Sequence, residues 1–351
     1  MSRLADARKP VIRHLYLGVP ETEDAGADWV AALGSEARAR QGRGWRLAPS
    51  LESIHVGGGC ASGLGPGVPA ALLESLDVDL EDRGEWTVEF DPGRLSAPLL
   101  EAWCTAGVNR IALRCGALAE VRAAARLLAG AQDVRWSVDV EFGGPAAPGA
   151  VHTADCLSQE LHVPHLSLVE TDEPWDPDRV AREYLEIFAL LEERGYRAWE
   201  LTSFALPRDV PVHARSVWQG DPFLGLGPGA HSFSGEVRVW NLAPWEAYFS
   251  RIRQGDDPAR GRECPGAAAR ALEWVWSRLR LREGVTLTHL PVEAHDIRER
   301  WVSMGWARDE PGQIRLNERG WLLLDTLAVE LAARFPVEWT PPDPAAGPRQ
   351  P

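Results

Sequence analysis

The stretch SIHVGGG, residues 53–59, decides the fold, because a short β-rich run leads directly into three consecutive glycines. Glycine lets the backbone turn tightly and approach another group closely, so this pattern is typical of a strand that ends in a strand-to-helix turn. Similar β-rich runs recur along the chain, at His14–Val19, Ser53–Gly57, Trp86–Phe90, Arg110–Arg114, Arg135–Phe142, His165–Glu170 and Ala198–Phe204.

Between many of these runs lie stretches rich in Ala, Leu, Glu and Arg with helical spacing. They include Ala70–Leu76, Ala97–Ala106, Ala119–Leu128 and Arg179–Arg194, the last of which stops at Gly195. Alternating strands and helices, with strands as apolar as IALR and WSVDVEF, predict an α/β fold built on a parallel sheet or barrel. We count six to seven strand–helix units, too many for a small flavodoxin-like sheet.

The character of the chain changes after about Gly255. The segment DDPARGRECPG is typical of a linker, and from Ala267 to Arg334 the pattern predicts helix, helix, a short strand pair and helix, as in a winged-helix-like module. We therefore predict an N-terminal arm over 1–12, a main domain over 13–255, a small helical domain over 256–335, and a disordered Pro-rich tail over 336–351.

Composition excludes several classes of function. The net charge of −14 opposes general binding to nucleic-acid phosphates or anionic lipid. Lys9 is the single lysine and lies in the polar N-terminal arm, so P-loop and Schiff-base chemistry lack their amine. No apolar run approaches the roughly 18–20 residues of a membrane span. The sequence predicts a soluble cytoplasmic protein and gives no prediction of its oligomeric state.

The five cysteines are too scattered for a disulfide framework or a zinc finger. They are Cys60, Cys104, Cys115, Cys156 and Cys264. Their spacing contains no CxxC or CxxxCxxC motif, and the chain has no HExxH or GxSxG motif. The sequence therefore lacks the motifs typical of zinc hydrolases and serine hydrolases.

Three features are candidates for binding a ligand. The glycines Gly57–Gly59 could let a ligand approach the backbone, or could form only a tight turn. Glu89 and Asp139 lie near the carboxyl ends of predicted strands, where parallel α/β folds bind ligands; their structural alternative is a helix cap or a salt bridge.

The third feature is the string LGLGPGAHS, residues 224–232, in which His231 follows a turn fixed by glycines and proline. Its imidazole could ligate haem iron or contact a tetrapyrrole carboxylate, or could be structural. His213 and Trp218, shortly before it, could line the same pocket or simply pack.

Taken in order, these strings resemble the radical-SAM family of the heme chaperone HemW and the oxygen-independent coproporphyrinogen III oxidases. The strings are HLYLGVP, ESIHVGGGC, WTVEFDPG, AGVNRIAL, WSVDVEFGGP, HLSLVE, RGYRAWELTSFA, FLGLGPGAHS, the pair Trp240–Asn241 and LRLREG…RLNERGWLLLD. The resemblance runs from about His14 to Phe335. It implies a partial (βα)6 TIM-like barrel over 13–255 and the family's small C-terminal helical domain over 256–335.

The resemblance also assigns family positions to residues of this chain. Those that match positions around S-adenosylmethionine (SAM) are Tyr16, Gly57, Gly58, Gly59, Glu89 and Asp139. The three cysteines of the family's CxxxCxxC motif, which holds a [4Fe-4S] cluster, fall on Thr22, Gly26 and Trp29. These side chains are not thiolates, so the sequence predicts loss of the cluster. Gly116 stands where the family has a SAM-binding Gln, which argues against SAM binding as well.

The region around GPGAHS is kept better than the region of the cluster. We therefore predict a cluster-less member that lacks radical catalysis and binds haem or porphyrin, with His231 as the first candidate ligand and His213 as the second. Its partner would be a haem-accepting protein. Two alternatives stay open: a working radical-SAM enzyme or chaperone with SAM and a cluster, and an interaction scaffold on a degenerate barrel.

Overall fold

A computed structural model describes residues 10–22, 25–59, 61–131, 133–144, 149–172 and 176–342. Lys9 and Cys60 lie outside the described residues, as do positions 1–9 of the predicted arm and 343–351 of the predicted tail. None of the described helices is long and apolar enough to span a bilayer.

The strands, in chain order, are β1 (Val11–Ile12), β2 (His14–Gly18), β3 (Arg46–Leu47), β4 (Ser50–Gly57), β5 (Asp79–Phe90), β6 (Arg110–Leu113), β7 (Arg135–Phe142), β8 (His165–Glu170), β9 (Arg197–Glu200), β10 (Ser203–Ala205), β11 (Phe223–Leu226), β12 (His231–Phe233), β13 (Arg238–Asn241), β14 (Ala259–Glu263), β15 (Val285–Thr286) and β16 (Gln313–Ile314).

The helices are α1 (Gly26–Gly42), α2 (Val68–Leu76), α3 (Ala97–Thr105), α4 (Leu118–Leu128), α5 (Ala150–Gln159), α6 (Pro177–Glu193), α7 (Val212–Gln219), α8 (Trp245–Arg253), α9 (Ala267–Arg280), α10 (Asp296–Ser303), α11 (Glu318–Trp321) and α12 (Leu324–Ala332). Six strand–helix units follow one another, beginning with β2, β4, β5, β6, β7 and β8. The predicted α/β fold is confirmed.

The chain divides into two compact units. The first comprises Met1–Trp136, Pro211–Val217 and Asp221–Cys264. In it β11, β2, β4, β5 and β6 lie side by side in parallel, and β12, β13 and β14 continue from β11 as antiparallel neighbours. The sequence assigned Val11–Ile12 to the arm, and here they form β1, which pairs with β3.

Alternating side chains give the first unit's sheet two different faces. Leu15, Ile54, Val56, Trp86 and Val88 point to one face and are fully buried. Since successive strand residues point to opposite faces, the residues between them, most of them polar, line the other face. The sheet therefore has an apolar face that packs the core and a polar face that can hold chemistry.

The second unit comprises Ser137–Val210, Trp218–Gly220 and Pro265–Pro351. Its strands from β7 lie in the order β7, β8, β10 and β9, with β7 and β8 parallel. The single strand expected over Ala198–Phe204 was wrong: it is a hairpin of β9 and β10, because the chain turns at Leu201–Thr202 and the two short strands pair antiparallel.

The C-terminal part of the second unit departs from the expected element order. The order is α9, β15, α10, β16, α11 and α12, so the two short strands flank a helix instead of following one another. The expected last helix is split, because Asn317 starts α11 by accepting the backbone N–H groups of Arg319 and Gly320, and Leu323 leaves helical geometry before α12. The domain bounds 13–255 and 256–335 remain a prediction.

Candidate functional site

Strand register builds the candidate site in the first unit. His14 of β2 is paired with Ser53 of β4, and Ser53 with Glu85 of β5. In the next row of the same face, Tyr16 is paired with His55. Five polar side chains from three neighbouring parallel strands are therefore brought onto one face of the sheet.

The predicted close approach at the triple glycine occurs, but the approaching groups belong to the chain itself. A Cβ at Gly57 would lie 2.5 Å from the Glu89 carboxylate, and one at Gly58 (φ +80°) would overlap the Tyr16 hydroxyl. A Cβ at Gly59 would overlap the backbone carbonyl of Val19. All three glycines are needed because the chain packs tightly against itself there.

Glu89 is engaged by two donors. The His55 Nε2–H donates to Glu89 Oε1 at 2.7 Å, and the Gly58 N–H donates to Oε2 at 3.2 Å. Burial by itself would raise the pKa of Glu89, but these hydrogen bonds and the charges of His55 and Arg114 lower it. Glu89 is thus held as a carboxylate, with the Tyr16 ring stacked on His55 at 5.7 Å between centroids.

His213 joins this face from the first turn of α7. Its backbone N–H donates to Glu85 Oε1 at 3.2 Å, and its Nδ1 lies 2.9 Å from Ser53 Oγ. The ring centroid lies 5.1 Å from that of His55. Burial, together with the neighbouring His55 and His14, holds the pKa of His213 well below its usual range, so the imidazole is neutral at pH 7.

His231 lies elsewhere in the first unit, on β12, where its side chain is exposed. Its ring stacks on Trp240 of β13, with the centroids 6.2 Å apart and the planes 19° from parallel. Trp240 in turn lies against Gly261 of β14, where a Cβ would overlap the indole. We call the nearly parallel rings of His231 and Trp240 the aromatic platform; its His231 ring is exposed to solvent.

A buried ionic network holds the turn before His231. Glu36 of α1 is fully buried and accepts hydrogen bonds from the Gly227 N–H (2.9 Å), the Tyr248 hydroxyl (2.7 Å) and the Arg40 guanidinium (3.0 Å). The Asn241 amide bridges Glu36 and the carbonyl of Gly227, 2.8 Å from each. The pair Trp240–Asn241 noted in the sequence therefore has two roles: Trp240 carries the platform, and Asn241 fixes the turn.

Two of the sequence-predicted residues belong to the second unit. Asp139 lies on β7, in register with Ser167 of β8. Trp218 lies at the end of α7, with the Arg280 guanidinium 4.3 Å from its ring centroid. His14, Ser53, His55 and Glu85 were not among the predicted site residues. Their signal was the alternation of polar and apolar residues in HLYLG, SIHVG and EWTVE, which identifies a polar face.

The residues that the resemblance assigns to the cluster cysteines, Thr22, Gly26 and Trp29, do not fit an iron–sulfur cluster. Trp29 is fully buried, and its indole N–H donates to the carbonyl of Gly18 at 2.8 Å. Gly26 begins α1 at a point where a Cβ would overlap the Leu64 carbonyl and lie 2.7 Å from Val68 Cγ2. Thr22 offers a hydroxyl, a poor ligand for iron–sulfur chemistry. In the described part of the chain, no group of three or more His, Cys, Asp or Glu side chains is arranged to hold a metal ion.

Sequence comparison finds relatives over most of the chain, although no family model matches it. The chain is 27% identical to the radical S-adenosyl methionine domain-containing protein 1, mitochondrial, of Bos taurus, over 85% of this chain and 79% of that protein. It is 26% identical to the heme chaperone HemW of Mycobacterium tuberculosis, over 85% of each chain.

Structure comparison agrees with the sequence relatives. The solved structure of the coproporphyrinogen III oxidase HemN from Escherichia coli, a radical SAM enzyme, superposes with a TM-score of 0.76. At 16% identity, it covers 94% of this chain and 92% of HemN. The predicted fold and the predicted resemblance are both confirmed: this chain is a relative of the radical-SAM proteins HemW and radical SAM domain-containing protein 1, with the α/β fold of HemN.

Proposed function

We propose that this protein is a cluster-less relative of HemW that binds haem or a porphyrin and does not carry out radical-SAM catalysis. The observation that carries the proposal is the packing of the family's cluster positions. Trp29 fills one of them with a buried, hydrogen-bonded indole, and Gly26 has no room for any side chain. A thiolate at position 26 would require α1 to move, because a Cβ there overlaps the Leu64 carbonyl, and a thiolate at position 29 would require loss of the indole and of its hydrogen bond to Gly18.

The state of the SAM-related residues supports the same proposal. The carboxylate of Glu89 already accepts hydrogen bonds from His55 and Gly58, and the triple glycine packs against Glu89, Tyr16 and Val19. A SAM molecule would have to displace these contacts before it could use the same groups. We therefore propose that neither a [4Fe-4S] cluster nor SAM is part of the functional protein.

Two histidines are the proposed haem ligands, and each has a different environment. His231 is exposed on a flat platform with Trp240, which suits direct contact with a planar macrocycle. His213 is buried, neutral and oriented by Ser53, which suits coordination of iron by a fixed imidazole. We keep His231 as the first candidate and His213 as the second, with a haem-accepting protein in the cytoplasm as the partner.

Haemin titration of the purified protein tests the proposal. A shifted Soret band that saturates at about one haem per chain would support it. His231→Ala and His213→Ala are compared with His289→Ala, which removes an exposed histidine that lies in the second unit. Loss of binding in one of the first two variants, but not in the control, identifies the ligand. A wild-type spectrum equal to that of free haemin would overturn the proposal.

The names of the relatives favour a second candidate, a working radical-SAM protein with a cluster on other ligands. Anaerobic reconstitution with iron and sulfide distinguishes the two. About four irons per chain with a brown chromophore would support the enzyme, whereas the cluster-less proposal expects no stoichiometric iron. If the chain binds a haem-accepting protein but does not bind haem itself, the third alternative, an interaction scaffold, would be favoured.

A further inference from the structure

We propose that Ser53 and His14 are positioning residues that fix the tautomer of His213, so that His213 presents an Nε2 lone pair to a ligand. The use of that lone pair for haem iron rests on the proposed function, but the tautomer itself does not. Five side chains form a chain of contacts: Glu52 and Asp221 face His14, His14 contacts Ser53, and Ser53 contacts His213. The protons available to these groups determine the tautomer of His213.

The first step concerns the hydroxyl of Ser53. Its Oγ lies 2.9 Å from Nδ1 of His14 and 2.9 Å from Nδ1 of His213. Ser53 is fully buried, so both contacts must be satisfied within the protein. A hydroxyl has one proton to donate. The oxygen could accept an N–H from both imidazoles, but its own buried proton would then lack an acceptor, so the satisfied arrangement has Ser53 donating to one imidazole and accepting an N–H from the other.

The second step decides which histidine donates. Nε2 of His14 lies 3.9 Å from Glu52 Oε2 and 3.9 Å from Asp221 Oδ2. Two carboxylates facing one ring nitrogen favour a proton on that nitrogen. A ring protonated on both nitrogens would donate from Nδ1 as well, so we infer the singly protonated Nε2–H form of His14, in which Nδ1 is an acceptor. In that form His14 accepts a hydrogen bond from the Ser53 hydroxyl.

The third step follows for His213. Because the Ser53 proton is directed to His14, the Ser53 oxygen accepts Nδ1–H from His213. The single proton of neutral His213 is then on Nδ1, and Nε2 has the lone pair. Within the described residues, Nε2 of His213 makes no hydrogen bond, and Glu85 holds its backbone N–H at 3.2 Å.

The surroundings keep the His213 imidazole in this neutral form. The rings that face it are His55 at 5.1 Å, Tyr16 at 6.3 Å and His14 at 6.5 Å, and Glu85 is directed to its main chain. None of these side chains offers a carboxylate to the His213 ring nitrogens. In metal-binding histidines, the N–H of the ring nitrogen that does not bind the metal commonly donates a hydrogen bond to a fixed acceptor. This bond sets the tautomer and the ring orientation.

The test is the tautomeric state of the two histidines in the ligand-free, full-length protein. Two-bond 1H–15N correlations are recorded at pH 8 on protein labelled with 15N-histidine, with signals assigned from His14→Gln and His213→Gln. We expect His213 as the Nδ1–H tautomer and His14 as the Nε2–H tautomer. The tautomers are determined on wild-type protein, and the two variants serve only to assign its signals. His213 protonated on Nε2, or His14 protonated on both nitrogens, would overturn the inference.

A second measurement connects the tautomer to ligand binding. Ser53→Ala removes the acceptor for Nδ1–H of His213, and Ser158→Ala is the matched control, since it removes another buried serine hydroxyl, in the second unit. If His213 binds haem, Ser53→Ala weakens haemin binding about tenfold or more and the control does not. If wild-type protein does not bind haem, the proposed function is wrong, but the tautomer of His213 is unaffected by that result. Unchanged haemin affinity in Ser53→Ala, with His213→Ala defective, would sink the positioning role alone.

Discussion

The indole N–H of Trp29 donates to the carbonyl of Gly18 at 2.8 Å, and this bond joins the first turn of α1 to the end of β2. Gly26, a second proposed cluster position, is also constrained, because a Cβ there would overlap the Leu64 carbonyl and crowd a Val68 methyl group. At two of the positions proposed for the family's cluster thiolates, this chain has a closed, hydrogen-bonded junction.

Restoring the cysteine motif in this chain should fail to restore a cluster. In Thr22→Cys/Gly26→Cys/Trp29→Cys, the side chain at position 26 overlaps backbone, and the indole hydrogen bond is lost. We expect Gly26→Cys alone to lower the free energy of unfolding by about 1–3 kcal/mol, the usual cost of overpacking. Urea unfolding measures this, with Gly42→Cys as a control, because a Cβ at Gly42 meets nothing within 4 Å.

The triple variant is then reconstituted anaerobically with iron and sulfide. We expect no stoichiometric iron, since α1 would have to shift before three thiolates could converge. A stable cluster in the triple variant would contradict the argument that packing, and not only residue identity, closes this site.

Removal of the buried charge of Glu36 should strongly lower the free energy of unfolding. Glu36 and Arg40 are both almost completely buried and paired at 3.0 Å, and Glu36 also holds Gly227 and Tyr248. Glu36→Gln leaves the Arg40 guanidinium without its counter-charge in the interior. We expect a loss of about 3–5 kcal/mol in the free energy of unfolding.

Chemical denaturation measures that loss, and Glu81→Gln is the control. Glu81 pairs with Arg13 at 3.3 Å, but both side chains are more than one-third exposed. An exposed pair of this kind contributes about 0–1 kcal/mol. Equal effects of the two substitutions would show that the Glu36 network is not a stabilising element.

Much of the fold could be predicted from the sequence, because strand and helix periods and the glycines after strands are local signals. The hairpin of β9 and β10 was missed since a two-residue turn at Leu201–Thr202 lacks Gly or Pro. The polar face was missed for a different reason. The runs HLYLG and SIHVG were predicted as β-rich strands, but their two faces were not distinguished, and their alternate residues, His14 and Ser53 among them, line the polar face.

The site could be predicted only in part because its contacts are long-range. Ser53 and His213 are 160 residues apart, and Glu36 and Asn241 are 205 apart. No local pattern links such residues. Glu89 and the glycines were identified from their positions at the ends of predicted strands, and Tyr16 from the family resemblance. A salt bridge was the expected alternative for Glu89, but no local pattern identified His55 as its partner.

The platform that carries His231 should depend on the missing side chain of Gly261. Gly261→Ala places a methyl group where the Trp240 indole now lies, so we expect Trp240 to move away from His231. Gly266→Ala is the control, because a Cβ there meets nothing within 4 Å. If His231 is the haem ligand, haemin affinity falls in Gly261→Ala and stays at the wild-type value in Gly266→Ala. If haemin affinity falls in His231→Ala but is unchanged in Gly261→Ala, then the stacking of Trp240 on His231 does not contribute to haemin binding.

The carboxylate of Glu89 should make stability depend on pH in the acid range. Its pKa in the folded protein lies below its ordinary value of about 4.3, which applies in the unfolded chain. A group with a lowered folded pKa binds its proton more readily when the chain unfolds. Its stabilising contribution is therefore complete above the unfolded pKa and is lost as the pH falls through the folded pKa.

We therefore expect Glu89→Gln to be less stable than wild type at pH 7, with the difference shrinking as the pH is lowered below about 4.3. The free energy of unfolding, measured by urea denaturation between pH 7 and the lowest pH at which both proteins fold, provides the comparison. Glu101→Gln is the control, since Glu101 is an exposed carboxylate on α3. A wild-type–variant difference that stays constant or widens toward acid pH would mean that the hydrogen bonds from His55 and Gly58 do not stabilise the ionised form, and that the Glu89 carboxylate is not committed to the chain's own groups.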